Sequence, residues 1–308
     1  MNNKKVVIAI GGNVLQEDMV INWSKEQQAL EEVCKVAADI HFEGYEIGIV
    51  HGSGPQIGRL LMAMEPNDVA PPIDQLTAMI QGSMGHVIKE TLTKELAKRN
   101  AYPPVVVVPT SVEVDEADAA FNNPTKPIGP FYTKEEALKL ADAKGYAVGE
   151  DAGRGYRRLI PSPAPLKILE ADTINKLWDT SIVISCGGGG IPVAKKGKAI
   201  KGMSAVVDKD YVASMLAKDV DADILLIITG VENVYTNFGG PNEEALHKVD
   251  VTTLESLIKE NQFAEGSMLP KIKAATEFVK LGGGRRAIIT DVNNAVLALK
   301  GNRGTIIE

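Results

Sequence analysis

Two short stretches combine side chains and backbone that could handle a phosphate group. Four successive glycines, Gly187 to Gly190, directly follow the apolar run SIVISC. Without a Cβ, their backbone N–H groups could approach an anion closely, although a tight turn alone would also use glycine. Further along, the tripeptide Asp208-Lys209-Asp210 stands at the predicted start of a helix. Aspartates there cap free N–H groups, but beside a phosphate loop Lys209 could meet a transferring phosphoryl group.

Two more lysines have unusual surroundings. Lys271 follows Pro270 just inside a predicted helix, where its charge opposes the helix dipole. That placement favours anion binding over a stabilising role. Lys126 lies in PTKPIGPFY, where prolines restrict the backbone around it. An ordinary surface lysine explains Lys126 equally well from the residues alone.

A protein nucleophile is poorly supported. Cys186 ends an apolar run and is predicted to be a small core residue, and nothing marks His51 as half of a catalytic pair. The four histidines and two cysteines show no metal-ligand spacing. The remaining chemistry is to bring two anions together and neutralise their charge, as phosphoryl transfer requires.

The elements that carry these residues alternate between strand and helix, which predicts a mainly parallel sheet covered on both faces. Apolar runs lead directly into Gly11-Gly12-Asn13, into HGSGPQIG (residues 51–58), into the four glycines and into Gly230. Loops that follow parallel strands gather at one edge of the sheet, where such sheets bind ligands. HGSGPQIG is one residue longer than the dinucleotide fingerprint, and no Walker loop or protein-kinase signature is present. We therefore predict an anion site of another kind.

Residues 112–164 interrupt the alternation with proline, glycine and charge. The segment is too long for an ordinary connection. A surface excursion is one interpretation, and a subdomain that closes over the site is the one we favour. The prediction is one domain, residues 1–308, with a protruding subdomain at about 112–164.

Chain length, composition, net charge and cysteine count limit the class of protein. The chain has 308 residues, is 44% hydrophobic and carries a net charge of −7, so it can build a large core but lacks the basic excess of a nucleic-acid binder. Two distant cysteines predict no disulfide framework, and neither a signal peptide nor a membrane-spanning run is apparent. We expect a soluble cytoplasmic protein without nucleic-acid or membrane partners.

The motifs together resemble one family. AIGGN, HGSGPQIG, PTKPIGPFY, DAGRGYRRLIPSP, CGGGGIPV, VVDKD, NVYTNFG and EGSMLPKIKAA closely resemble segments of carbamate kinases, within the amino-acid kinase superfamily. The resemblance runs in consistent order from Val6 to Ile307. PTKPIGPFY and CGGGGIPV are much more specific than any single glycine motif.

The resemblance implies a fold and an activity. The fold is a three-layer α/β/α sandwich with a mainly parallel central sheet and a small protruding subdomain, in a homodimer. The activity is reversible phosphoryl transfer between ATP and carbamate, with Mg²⁺, giving ADP and carbamoyl phosphate. The direction implied is ATP synthesis, from carbamoyl phosphate released in arginine or purine catabolism. No residue is predicted to bind the metal directly.

The resemblance also implies roles for residues. Those expected in catalysis are Lys126, Lys209, Asp210 and Lys271. Among them, Lys209 and Lys271 are expected to contact the transferring phosphoryl group, and Asp210 is expected to orient these two lysines. Those expected to bind phosphate or the small substrate are Gly11, Gly12, Asn13, Gly52, Ser53, Gly54, Gly187 and Gly188. Those expected at the nucleotide are Asp208, Tyr235 and Met268. Lys195, Lys196 and Lys198, which follow the four glycines, are expected to be peripheral.

Two positions depart from the pattern of the family. HGSGPQ has Ser53 where many members have asparagine, and Gly230 stands where an acidic residue is frequent. A carbamate-kinase-like paralogue, or another acyl-phosphate-forming amino-acid kinase acting on acetylglutamate or aspartate, is therefore the alternative enzyme. A non-catalytic nucleotide sensor is the alternative of another class, and the four retained catalytic residues argue against it.

Overall fold

The structure is a computed structural model that describes residues 3–15, 23–64, 71–151, 155–197 and 199–308. Lys198 and the side chain of Asn13, both named above, lie outside the described part. Within that part, no helix is long and apolar enough to cross a membrane.

The strands fall into one large sheet and three small ones. In chain order they are β1 (Lys5–Ile10), β2 (Glu46–His51), β3 (Val105–Val108), β4 (Ser111–Val114), β5 (Lys126–Tyr132), β6 (Ala147–Glu150), β7 (Tyr156–Ile160), β8 (Pro165–Ile168), β9 (Ile182–Ser185), β10 (Ile191–Lys196), β11 (Ala199–Gly202), β12 (Ile224–Ile228), β13 (Val234–Thr236), β14 (Glu244–Leu246), β15 (Lys248–Val249), β16 (Arg286–Thr290) and β17 (Thr305–Ile307).

The helices connect these strands. They are α1 (Gly12–Leu15), α2 (Trp23–Phe42), α3 (Gly54–Met64), α4 (Ile73–Ala97), α5 (Lys134–Lys144), α6 (Ala171–Trp178), α7 (Lys209–Asp219), α8 (Val251–Lys259), α9 (Met268–Lys280) and α10 (Ala295–Leu299). Short 3-10 turns lie at Ala119–Phe121 and Gly187–Gly189.

The large sheet has eight strands in the order β15-β17-β16-β12-β1-β2-β9-β3. Its neighbours run parallel except for β16 and β17. The predicted mainly parallel sheet is therefore confirmed.

Both faces of this sheet are buried, which explains why its strands are apolar at successive positions. Along β1, Val7 and Ala9 belong to one core, together with α7 and α9. Ile8 and Ile10 belong to the other, together with α2 and α4. Successive side chains of a strand point to opposite faces. Because helices cover both faces, the architecture is the expected α/β/α sandwich.

A small sheet of its own lies in the middle of the segment 112–164. Its strands are in the order β5-β7-β6, all antiparallel, and helix α5 accompanies them. Ile57 of α3 packs with Ile128 of β5 and Ile160 of β7 in a separate buried cluster. This contact attaches the small sheet beside the glycine loop that begins α3. Strands β4 and β8, which flank the segment, pair in the four-stranded sheet β11-β10-β4-β8. The division of the chain into a domain and a subdomain stays a prediction.

Candidate active site

The ends of several strands and the small sheet enclose a cavity of about 480 Å³. The predicted site residues that line it are Gly11, Gly12, Gly52, Ser53, Gly54, Lys126, Gly188, Asp208, Lys209, Asp210, Tyr235, Met268 and Lys271. They come from loops after β1, β2 and β9, from strands β5 and β13, and from the starts of α7 and α9. Residues far apart in the sequence therefore meet at one edge of the large sheet, as parallel strand direction predicts.

The first two glycine loops lie against each other. The Gly11 N–H donates to the Ile228 carbonyl at 2.9 Å, and the Gly52 N–H donates to the Ile10 carbonyl at 2.9 Å. Both bonds continue the pattern of the sheet one residue past the strand ends. A Cβ added at Gly52 would lie 2.6 Å from the Gly12 nitrogen, which real Cβ atoms essentially never do. Glycine at position 52 is what lets the two loops approach.

His51 lies behind the cavity wall. It is buried, and burial lowers the pKa of its imidazole, so the ring is neutral near pH 7. Nδ1 donates to the Gly52 carbonyl at 2.9 Å, since a carbonyl can only accept. The imidazole is a support for the loop and has no access to the cavity as a base.

The four-glycine turn needs glycine mainly because of neighbouring protein atoms. A Cβ at Gly187 would lie 2.3 Å from His51 Nε2, and one at Gly189 would lie 2.1 Å from the Val207 carbonyl oxygen. Gly187 lies behind the wall, and Gly188 is the member of the turn that lines the cavity. Close approach of a ligand therefore does not explain why all four positions are glycine. Packing of the turn against neighbouring protein atoms explains it.

Gly188 combines an unusual backbone with a tight contact. Its φ is +66°, and a Cβ there would lie 2.3 Å from Ser53 Oγ. Valine is strongly disfavoured at positive φ and would also displace the loop that carries Ser53. We expect Gly188→Val to weaken ADP binding at least about tenfold, which is about 1.4 kcal/mol.

Isothermal titration of the folded variant measures this effect. Gly82→Val is the matched control, because Gly82 lies on the exposed side of α4 with nothing within 4 Å of an added Cβ. Unchanged ADP affinity in Gly188→Val would mean that the turn has no part in nucleotide binding.

Asp210 joins two of the three predicted catalytic lysines. Its carboxylate is 2% exposed; Oδ1 accepts a hydrogen bond from Lys209 Nζ and Oδ2 accepts one from Lys271 Nζ at 3.1 Å. Burial lowers the pKa of Lys209 and the neighbouring charge of Lys271 adds to this, while Asp210 opposes both. One buried carboxylate thus holds two ammonium groups at the cavity wall.

Lys126 makes a polar contact between the small sheet and the main body. Its Nζ lies 2.6 Å from Asp208 Oδ2, and Asp208 Oδ1 accepts the Asp210 N–H at 2.9 Å as the N-cap of α7. Burial opposes ionisation of Asp208, but the Lys126 ammonium and the Asp210 N–H outweigh it and lower the pKa to about 2. Asp208 thus both begins α7 and positions Lys126.

An aromatic pair also lines the cavity. The rings of Tyr235 and Phe238 lie 5.9 Å apart at 49°, and Phe238 is 68% exposed. Phe263 and Met268 line the same cavity. Exposed ring faces of this kind suit stacking with a planar base. Sequence reasoning missed Phe238, although it lies in the NVYTNFG motif.

The lysines after the glycine turn lie elsewhere. Lys195 Nζ pairs with Glu113 at 3.0 Å on strands β10 and β4, and neither Lys195 nor Lys196 lines the cavity. The two cysteines are buried, and burial raises the pKa of each thiol to about 12. A cysteine thiolate therefore has no part in the chemistry of this site.

The fold and this cluster of lysines define a class of protein. The profile of the amino acid kinase family matches residues 4–291. The chain therefore belongs to the amino acid kinase family.

Individual relatives show which group within the amino acid kinase family the chain resembles in sequence and structure. A carbamate kinase of Clostridium perfringens is 44% identical over 98% of this chain and 99% of its own length. A carbamate kinase-like protein of Escherichia coli, YqeA, is 41% identical over 99% of both chains. The structure of a Giardia lamblia carbamate kinase bound to AMP-PNP superposes with a TM-score of 0.90 at 38% identity, covering 99% of this chain and 98% of the other. Within its family the chain belongs with the carbamate kinases, which confirms the resemblance read from the motifs.

Proposed function

We propose that this protein is an ATP:carbamate phosphotransferase, which interconverts ATP and carbamate with ADP and carbamoyl phosphate. The observation that carries the proposal is the pair Lys209 and Lys271 on the buried carboxylate of Asp210, at a cavity edged by glycine loops. The proteins named carbamate kinase that match the chain over nearly its whole length support the same activity.

The chemistry needs positioning more than it needs a base. A carbamate oxygen is already a nucleophile; it forms a bond to the γ-phosphorus of ATP as the bond from that phosphorus to the bridging oxygen of ADP breaks. The two reactants are both anions, so the main barrier is their repulsion and alignment. Lys209 and Lys271 neutralise charge on the transferring group, and Asp210 fixes both ammonium groups before the substrates arrive.

The other predicted residues fit around that centre. In this proposal Gly11, Gly12 and Gly188 offer backbone to the phosphates, and Gly52, Ser53 and Gly54 hold the carbamoyl group. Tyr235 and Met268 contact the base. Lys126 reaches the small substrate or the transferring phosphoryl group from the small sheet.

Mg²⁺ is part of the proposal through the nucleotide. Among the described residues, no group of three or more His, Cys, Asp and Glu side chains could form a dedicated metal cage. Mg²⁺ commonly keeps water ligands and binds through phosphates plus one or two carboxylates. The carboxylates of Asp208 and Asp210, which line the cavity, are suitable hard donors. When bound, the metal supplies further charge neutralisation on the phosphates.

The proposal also covers the oligomeric state of the protein, its location in the cell and the direction in which the reaction runs. We infer a homodimer in the cytoplasm that uses carbamoyl phosphate from arginine or purine catabolism to make ATP. Among the described residues, β3 is the last strand at one end of the large sheet. An edge strand offers unpaired backbone groups to a second chain, which supports a dimer.

One observation favours a carbamate-kinase-like paralogue as the second candidate. Ser53 is buried at the cavity, and its Oγ lies directly against Gly188. A hydroxyl offers one donor where an amide would offer two, so contacts to the carbamoyl group differ at this position. The affinity for carbamate can then differ even with every lysine in place.

A direct assay separates the candidates. Purified protein is mixed with ADP, Mg²⁺ and carbamoyl phosphate, and ATP formation is followed with a coupled enzyme. Rapid ATP formation supports the proposal. Turnover only with ATP and acetylglutamate or aspartate would support another amino-acid kinase, and ADP binding without turnover would support a nucleotide sensor.

A further inference from the structure

Gln81 makes an unusually complete set of contacts behind the cavity. It lies on α4, is 2% exposed and does not line the cavity. Nε2 donates to the Gly187 carbonyl at 2.9 Å and to the Thr110 carbonyl at 3.1 Å, and Oε1 accepts the Thr110 N–H at 2.7 Å. Because carbonyls only accept and the Thr110 N–H only donates, these partners fix which way the amide faces.

These contacts determine the orientation of the peptide between Gly187 and Gly188. Peptide bonds among the described residues are trans, so the carbonyl and the N–H of one peptide point in opposite directions. The carbonyl of Gly187 faces Gln81. The N–H of Gly188 therefore points away from the Gln81 amide, and Gly188 itself lines the cavity.

Without such a contact, little would hold that orientation. Neither Gly187 nor Gly188 has a Cβ to restrict rotation of the peptide between them. A turned peptide would present a carbonyl oxygen to the cavity, and its partial negative charge would repel a phosphate. The Gly190 N–H also donates to the Gly187 carbonyl, at 3.1 Å, so the turn supplies one further contact of its own.

Thr110 links the same helix to the start of the turn. Its Oγ1 accepts the Cys186 N–H at 3.0 Å and donates to the Val108 carbonyl at 2.7 Å. Cys186 has a φ of +55°, which is uncommon outside glycine and needs support from its neighbours. Gln81 therefore acts on Gly187 directly and on Cys186 through Thr110.

We propose that Gln81 is a positioning residue for phosphoryl transfer: it holds the Gly187–Gly188 peptide so that the Gly188 N–H is a fixed donor to a phosphate oxygen. The inference rests on the proposed phosphotransferase function and assigns a role to a side chain that never touches the substrate.

The first test removes the donors while keeping the shape. Gln81→Met preserves side-chain length without any N–H. We expect kcat to fall about 100-fold, the scale for losing one preorganised donor. Thr77→Val is the matched control, because Thr77 is also buried on α4 and its hydroxyl donates only to the Ile73 carbonyl of its own helix. A folded Gln81→Met enzyme with wild-type kcat, or an equal loss in Thr77→Val, would overturn the proposal.

The second test gives a signature that a purely structural role would not. In Gln81→Glu the ionised carboxylate repels the Gly187 carbonyl, whereas the protonated acid can donate to it. We expect the activity of this variant relative to wild type to rise as the pH falls. Its pH profile should therefore show a pH dependence that the wild-type profile lacks. A profile parallel to wild type would contradict the assigned role.

The third test uses the unaltered protein and does not depend on a variant that folds. In protein labelled with ¹⁵N-glycine, the Gly188 amide signal should shift when ADP or carbamoyl phosphate is added to saturation. An unchanged Gly188 signal, while other cavity glycines respond, would overturn the inference. If wild type binds ADP but makes no ATP, the proposed function fails, yet this measurement still decides the orientation of Gly188.

Discussion

Replacing either Lys209 or Lys271 with alanine should lower kcat about 100- to 1,000-fold, the range for loss of one electrostatic donor in a preorganised site. Both ammonium groups lie on Asp210 at the cavity wall, where low exposure strengthens their interaction with a phosphoryl group. The measurement is the steady-state rate of ATP formation from carbamoyl phosphate and ADP.

The fold should tolerate each single replacement. After loss of one lysine, Asp210 still pairs with the other, so no buried carboxylate is left without a partner. Loss of both lysines together should destabilise the protein, because Asp210 would then be buried and unpaired. Thermal unfolding of the two single variants and the double variant distinguishes these cases.

Matched controls lie on the same helices. Lys218 on α7 and Lys273 on α9 are both exposed and lie outside the cavity lining. Alanine at either should leave kcat near wild type. Near-normal turnover in a folded Lys209→Ala or Lys271→Ala enzyme would remove that residue from the mechanism.

The positions of these lysines at one site were predictable because they depend on strand direction. Apolar runs that end in glycine loops indicate parallel strands, and parallel strands bring their carboxyl ends to one edge. Gly11, Ser53 and Gly188 line one cavity for this reason, although 177 positions separate the first from the last. The start of α7 was also readable, since Asp208 is a strong N-cap residue.

The residues alone did not predict the partners of the lysines, although the family resemblance implied that Asp210 orients Lys209 and Lys271. Asp210 reaches Lys271 across 61 positions, and Gln81 reaches Gly187 across 106. Such contacts depend on how the helices pack on the sheet, which no local pattern encodes. For the same reason the sequence could not show that Gly187 and Gly189 are required by His51 and Val207 rather than by a ligand.

Lys126→Ala should damage the use of carbamoyl phosphate severely while leaving ADP binding nearly unchanged. Lys126 comes from the small sheet and pairs with Asp208 at the cavity, whereas the aromatic pair Tyr235 and Phe238 comes from β13 and the residues just after it. Loss of its charge should therefore affect the transferred group and leave the base contacts intact. We expect kcat/KM for carbamoyl phosphate to fall about 100-fold, as for another lost electrostatic donor.

The ion pair with Asp208 also makes the contribution of Lys126 depend on pH. The pKa of Asp208 is lowered to about 2 from an ordinary value of 3.8, so the pair contributes stability above the ordinary value and loses it as the pH falls toward 2. At neutral pH both groups are charged, and an incoming phosphoryl group competes with Asp208 for the ammonium of Lys126. A substrate that draws Lys126 away would free Asp208 Oδ2 at the cavity.

The decisive measurement is a pair of dissociation constants on the same variant, one for ADP and one for carbamoyl phosphate. Lys139→Ala is the matched control, because Lys139 lies on α5 of the same segment and makes an exposed pair with Glu135 at 2.9 Å. Pairs of that kind contribute little, so both affinities should stay at wild-type values in the control. Equal loss of both ligands in Lys126→Ala, or loss of neither, would contradict the assignment. Lys126 would then be a structural link between the small sheet and Asp208, and the phosphoryl group would depend on Lys209 and Lys271 alone.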